Sequence, residues 1–263
     1  MNENIETIFE NTDRINSYDC DINGNWKPAA FFQYMTEAAH KHASRLGVGY
    51  PEMIQRNLSW VLTRLKIKFL RFPQIDEVIT IRTWPKTIQQ KLFFIRDFEI
   101  IDSANHLLAQ ASSAWLIINV NTRRLVPPRS IEFELPELEN RHGLNETLEK
   151  LDLEPDGEER LVVHAGYSSV DIVGHTNNSR YVEWVCDAFP ITTYQEQQLD
   201  WIQVNYIHEV LPGEQVSIRA NQIDNAGTWG IQGINRNNQT VAFESALRWK
   251  ERTTGQEYGS SQE

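Results

Sequence analysis

Between residues 28 and 46 the apolar positions recur near helical spacing, at Ala30, Met35, Ala38, Ala39, His42 and Leu46, ahead of Gly47. Pro28 suits the first turn, so the pattern predicts a helix over 28–46. The pattern then changes to runs rich in β-branched and aromatic residues at 58–72, 76–87, 90–102 and 106–120, which predict four strands. A second apolar stripe follows at Tyr181, Val182, Val185, Cys186 and Phe189, with Asn177 or Asn178 placed to cap it and Pro190 to stop it. Four more strand-like runs come after it, at 200–210, 214–222, 227–236 and 239–250. One further strand is expected before each helix, near 12–20 and 161–170. The fold class is α+β, with an antiparallel sheet wrapped around a mostly apolar helix in each half.

The two halves are copies of one plan. D-I-N-G-N-W-K-P-A-A-F-F-Q-Y from Asp21 lines up with D-I-V-G-H-T-N-N-S-R-Y-V-E-W from Asp171, so Phe31 meets Tyr181 and Tyr34 meets Trp184. F-L-R-F-P-Q-I-D-E-V-I-T-I-R, ending at Arg82, resembles Y-I-H-E-V-L-P-G-E-Q-V-S-I-R, ending at Arg219. Ser113-Ala114 likewise matches Ser245-Ala246. The expected units are 1–125, a linker over 126–160 carrying Pro127, Pro128 and Pro136, a second unit over 161–252, and a disordered tail over 253–263.

Composition narrows the classes of function. A formal charge of −11 argues against nucleic-acid binding, which needs clustered cations to neutralise phosphates. Basic residues do bunch locally, at Arg64, Lys66, Lys68 and Arg71, which alternate as the water-facing side of a strand would, and at Arg123, Arg124 and Arg129 in a loop. Cys20 and Cys186 are too few for a disulfide framework and are not spaced as a metal pair. An acidic N-terminus and the lack of an apolar run of about 18 residues predict a cytoplasmic protein without a membrane partner.

Chemistry is expected where the copies differ. Asp171 is followed four residues later by His175, whereas Asp21 is followed at the same place by Asn25. A purely structural pair would be kept in both halves, so Asp171 and His175 are read as functional rather than as ordinary helix-start residues. Glu209 is a third candidate, because its counterpart is Phe72; an exposed strand carboxylate is the equally weighted alternative. If that strand is regular, His208 points to the opposite face. No G-x-S-x-G, Walker or G-x-G-x-x-G motif or H-E-x-x-H occurs, and His40 and His42 point apart on a helix, so neither metal nor cofactor is called for.

On these segments the chain resembles the acyl-ACP thioesterases of bacteria and plants. W-V-L-T-R-L-K-I-K-F-L-R-F-P (Trp60 to Pro73) looks like that family's first-domain strand, and S-A-W-L-I-I-N-V-N-T-R-R (Ser113 to Arg124) like the strand before its linker. H-T-N-N-S-R-Y-V-E-W (His175 to Trp184) is similar to its second-helix start. The resemblance implies two tandem hotdog domains, a catalytic second half, and a first half that shapes the acyl pocket. It implies catalytic Asp171 and His175 and a strand carboxylate at Glu209. One position departs, since the family usually has Asn two residues before the His and Val173 stands there.

The expected mechanism is water attack on a thioester, with Glu209 or Asp171 as base, His175 orienting or polarising, and amides near Thr176 and Asn177 holding the oxyanion. The expected partner is an acyl carrier protein, its acidic surface met by Arg123, Arg124 or Arg129. An acyl-CoA thioesterase, a hydratase of the same fold and an acyl-binding protein without catalysis stay open as alternatives, as does the choice between a monomer and a homodimer.

Overall fold

The computed structural model describes residues 7–154 and 157–252, so the expected tail over 253–263 lies outside the described residues. The first half contains β1 (Phe9–Arg14), α1 (Pro28–Arg45), α2 (Tyr50–Gln55), β2 (Leu58–Phe69), β3 (Val78–Gln89), β4 (Phe93–Asp102) and β5 (Leu107–Asn119). The second repeats it with β6 (Glu158–His164), α3 (Asn178–Asp187), α4 (Ile191–Glu196), β7 (Gln197–Tyr206), β8 (Gln215–Gln222), β9 (Thr228–Asn235) and β10 (Val241–Glu251). The fold is α+β, and the expected helices and strands are found near their expected places, except that the strands expected near 12–20 and 161–170 end at Arg14 and His164, before short 3-10 turns at Ser17–Asp19 and Tyr167–Ser169. The short helices α2 and α4 were not expected: six residues are too few to show a helical period.

Among the described residues the ten strands form one antiparallel sheet in the order β1-β3-β4-β5-β2-β7-β10-β9-β8-β6. Each half is read outward from the centre in the same order, and β2 pairs with β7 from Arg64 opposite Asn205 to Lys68 opposite Trp201. The repeat thus becomes a pseudo-twofold relation about the β2–β7 seam, and α1 packs alongside α3. Pro28 at the first helical position starts α1, which buries Ala30, Phe31, Phe32, Met35, Ala38 and Ala39. Asn177 caps α3 by accepting from the Ser179 amide at 3.0 Å. No helix among the described residues is long and apolar enough to cross a membrane.

The stretch 126–154, expected as a linker, covers the outer face of the sheet. Leu144 and Leu148 are buried there, Leu148 against Ile95 and Ala114. Backbone carbonyls along the stretch accept from long side chains reaching off the sheet, Arg64 to Leu148 at 2.6 Å, Gln203 to Glu149 at 2.8 Å and Gln232 to Leu153 at 3.0 Å. These bonds tie the backbone of the stretch to the sheet. Strand β4 is consequently buried on both faces: Phe98 and Ile100 belong to the core around α1, and Ile95 packs under this covering segment.

Close packing in the second half gives a stability prediction. A Cβ built on Gly233 of β9 would lie 1.9 Å from Cε1 of the fully buried Phe243 on β10. Gly233→Ala is expected to cost about 1–3 kcal/mol through displacement of that ring, read as a lower midpoint in thermal or denaturant unfolding.

Candidate active site

Asp171 opens a tight turn before α3. Its Oδ1 accepts from the Val173 amide at 3.0 Å, and its own amide donates to the His175 carbonyl at 3.0 Å. Gly174 completes the turn at φ +83°, where a side chain would be strained. The first half builds the same turn at Asp21, whose Oδ1 accepts from the amides of Asn23 and Asn25 at 2.8 and 3.0 Å. The turn is therefore the shared structural element, and the imidazole is what the second copy adds.

The chain after β7 brings Glu209 to that imidazole, with His175 Nε2 standing 3.3 Å from Glu209 Oε2. Asp171, His175 and Glu209 all line one cavity of about 570 Å³. The sequence expectation for His208 is corrected here. Strand β7 ends at Tyr206, so residues 207–210 do not alternate as a strand, and both His208 and Glu209 line the cavity. His208 is held by its Nδ1, 2.8 Å from the Val241 carbonyl.

The expected oxyanion donors are also corrected. The Thr176 amide donates to the Val210 carbonyl at 3.0 Å and the Asn177 amide to the Ser169 carbonyl at 2.8 Å, so neither is free for a substrate. Asn178, the first residue of α3, lines the cavity, and its amide donates to no acceptor among the described residues. A helix N-terminus offers this N–H together with its positive dipole end.

The three expected docking arginines separate. All three are exposed, but Arg123 also lines the cavity and donates through Nη2 to Glu209 Oε2 at 2.6 Å. Arg123 is therefore paired with a residue of the site while remaining open to solvent.

Tyr181 was missed as a site residue. It lines the cavity, and its hydroxyl accepts from the Val210 amide at 3.3 Å. Burial pushes its phenol well above the ordinary range, with the charges of Glu209 and Asp171 adding to the effect, so it stays protonated. The signal was present in the repeat, where Tyr181 stands opposite the fully buried Phe31, just as Glu209 stands opposite Phe72.

From this polar end the cavity runs into the first half, along Ala39 and Ala43 of α1, Met53 of α2, Leu62 of β2 and Phe94 of β4. Arg96 also lines it, buried, with Nη1 donating to His42 Nδ1 at 3.0 Å and to Thr83 Oγ1 at 3.3 Å. Burial lowers its guanidinium pKa to about 10. The pseudo-equivalent place in the first half, beside Asp21, Asn25 and Phe72, holds only about 20 Å³. No group of three or more His, Cys, Asp or Glu among the described residues is arranged to hold a metal ion.

A doubled helix-on-sheet fold, with an imidazole and a carboxylate meeting at the polar end of a mostly apolar cavity, defines a tandem hotdog protein. Comparison with known proteins gives the family. The acyl-ACP thioesterase N-terminal domain matches residues 6–131 and the acyl-ACP thioesterase C-terminal domain matches 154–260, and the chain belongs to the acyl-ACP thioesterase family.

Among relatives, it is 27% identical to a chloroplastic palmitoyl-acyl carrier protein thioesterase of Arabidopsis thaliana, over 77% of this chain and 52% of that one. It is 26% identical to a chloroplastic oleoyl-acyl carrier protein thioesterase of Coriandrum sativum, over 74% of this chain and 57% of that one. The chain spans about half the length of the curated relatives it matches. An acyl-ACP thioesterase from Bacteroides thetaiotaomicron has the same fold, with a TM-score of 0.81 at 24% identity over 93% of this chain and 98% of that one. So does a 12:0-ACP thioesterase from Umbellularia californica, with a TM-score of 0.77 at 19% identity over 94% and 98%.

Proposed function

We propose that the chain hydrolyses fatty acyl thioesters of acyl carrier protein, releasing a free fatty acid and the carrier as a step of fatty acid biosynthesis. The observation that carries this reading is the cavity of about 570 Å³, whose apolar length lies in the first half and whose polar end holds His175 and Glu209. Family membership supports the thioester as the bond and the carrier protein as its bearer.

The reaction follows from the residues at the polar end. Both Arg123 and His175 face Oε2 of Glu209, which leaves Oε1 to take a proton from water. The water oxygen bonds to the thioester carbonyl carbon, and the oxyanion that forms meets the Asn178 amide at the start of α3. Collapse breaks the C–S bond, and the Glu209 carboxyl returns its proton to the departing sulfur. Asp171 acts through the turn it holds, which sets His175 in place. A thiolate leaves readily, so no stronger nucleophile is needed.

Carrier docking is assigned to Arg124 and Arg129, exposed on the segment that follows β5 and suited to an acidic partner. An acyl-CoA substrate is the second reading, because the same cavity and the same chemistry serve either thiol. The test supplies matched acyl-ACP and acyl-CoA series and follows free fatty acid. Release at higher kcat/KM from acyl-ACP, weakened by Arg124→Glu and Arg129→Glu through KM, is the expected result. Preference for acyl-CoA with no effect of these charge reversals would move the assignment to the second reading. Acyl chains retained without release from either series would overturn the hydrolase reading.

A further inference from the structure

Arg123 sits in a turn that its own residue type disfavours. Its φ is +56°, in the left-handed region where Gly and Asn are at ease and a long side chain is not. The turn is held by Asn119, whose Oδ1 accepts from the amides of Asn121 and Thr122 at 3.1 and 3.0 Å and from the Thr122 hydroxyl at 3.1 Å. The Arg123 amide donates to the Asn119 carbonyl at 2.8 Å, and Asn121 Nδ2 ties the turn to Asn57 Oδ1 at 3.0 Å. A turn fastened at this many points holds an arginine in an unfavourable conformation and directs its guanidinium to the carboxylate of the other half. The second half builds the same turn, with Gln239 at φ +59°, its amide donating to the Asn235 carbonyl at 2.8 Å and the Asn237 amide to Asn235 Oδ1 at 2.9 Å, so what distinguishes Arg123 is the contact its side chain makes with Glu209.

The contact itself is specific. Arg123 Nη2 and His175 Nε2 lie 2.6 and 3.3 Å from the same Glu209 oxygen, Oε2. Two such contacts on one oxygen favour one orientation of the carboxylate and leave its second oxygen unengaged by them. We propose that Arg123 is a positioning residue of the hydrolytic centre, supplied by the first half of the chain, and that it holds Glu209 against His175 with Oε1 presented to the attacking water. The first half then does more than shape the acyl pocket, since the catalytic constellation is incomplete without its turn. Asp171, His175 and Glu209 come from the second half, and the fourth member comes from the turn that follows β5. This assignment rests on the hydrolase reading above.

The experiment measures wild type, Arg123→Gly, Arg123→Gln and Arg123→Lys on two substrates with the same acyl chain, acyl-ACP and the acyl thioester of N-acetylcysteamine, which has no protein to dock. Wild-type release of free acid tests the hydrolase reading by itself, and the variants test the role of Arg123. The expected result is a kcat lowered about 10- to 100-fold in Arg123→Gly and Arg123→Gln on both substrates, with KM little changed, and partial recovery in Arg123→Lys. Arg123→Gly is also expected to unfold at the same or a higher temperature than wild type, because glycine relieves the left-handed strain; a slower enzyme that is no less stable excludes misfolding. A rise in KM for acyl-ACP alone, with the small thioester turned over at the wild-type rate, would make Arg123 a docking residue and overturn the proposal. So would an unchanged kcat on both substrates.

Discussion

His175→Ala lowers kcat for thioester hydrolysis by about 100- to 10,000-fold, the range set by loss of a positioned acid–base partner. The imidazole is part-exposed and stands 3.3 Å from Glu209 Oε2, and its backbone carbonyl, which pairs with the Asp171 amide, survives the substitution. The turn before α3 is therefore retained, and the unfolding temperature should stay within a few degrees of wild type. Glu209→Gln should fall in the same range, since the amide keeps the shape but cannot take the proton of water. If the two act as a unit, the double variant is hardly slower than either single one. Asp171→Asn separates charge from geometry, because an amide oxygen can still accept from the Val173 amide. Near-wild-type turnover in Asp171→Asn would confine Asp171 to building the turn, whereas a loss as large as that in His175→Ala would give its charge a part in the chemistry. Wild-type kcat in both His175→Ala and Glu209→Gln would refute this centre.

The repeat made much of this legible. Helix and strand periods predicted α1, α3 and the ten strands, and the comparison of aligned copies isolated His175 against Asn25 and Glu209 against Phe72. The structure gives those differences a physical form: the copy with Asn25 and Phe72 encloses about 20 Å³ where the other opens into about 570 Å³. Applied to Phe31 and Tyr181, the same comparison would have yielded a further site residue.

What escaped the sequence depends on pairings that periodicity does not encode. The Thr176 and Asn177 amides look free at a helix start, yet the carbonyls of Val210 and Ser169 claim them once the chain is folded. His208 was given to the opposite face by strand alternation, which fails because β7 ends two residues earlier. Arg123 was read as a docking charge because its partner Glu209 lies in the other half of the chain. The covering role of residues 126–154 was hidden because its buried side chains, Leu144 and Leu148 among them, follow no helix or strand period, and part of its anchoring is through backbone carbonyls, which carry no residue-type signature.

The largest stability effect is expected at a buried carboxylate with no counterpart in the chemistry. Asp97 of β4 is fully buried and accepts from Lys86 Nζ at 2.8 Å, Ser112 Oγ at 2.6 Å and the Gly143 amide at 2.7 Å. Lys86 lies where the β3–β4 register shifts between Pro85 and Thr87, a bulge that suits a proline lacking an N–H. It is itself buried, and its Nζ also donates to the Leu144 carbonyl at 3.2 Å. One carboxylate thus joins β3, β4, β5 and the covering segment. Gly143 approaches so closely that a Cβ there would meet the Ala111 carbonyl oxygen at 2.6 Å. Asp97→Ala strands the lysine ammonium without its counter-charge and leaves the Gly143 amide and the Ser112 hydroxyl short of an acceptor, a loss of about 3–5 kcal/mol. At 2–4 °C per kcal/mol for a chain of this size, the melting temperature falls by on the order of 10 °C. Pairing it with Lys86→Met removes the stranded charge and should recover part of that loss. The test is thermal unfolding of both variants beside wild type. A double variant no more stable than Asp97→Ala would mean that the cost lies in the lost anchor at Gly143 and Ser112 and not in the unpaired ammonium.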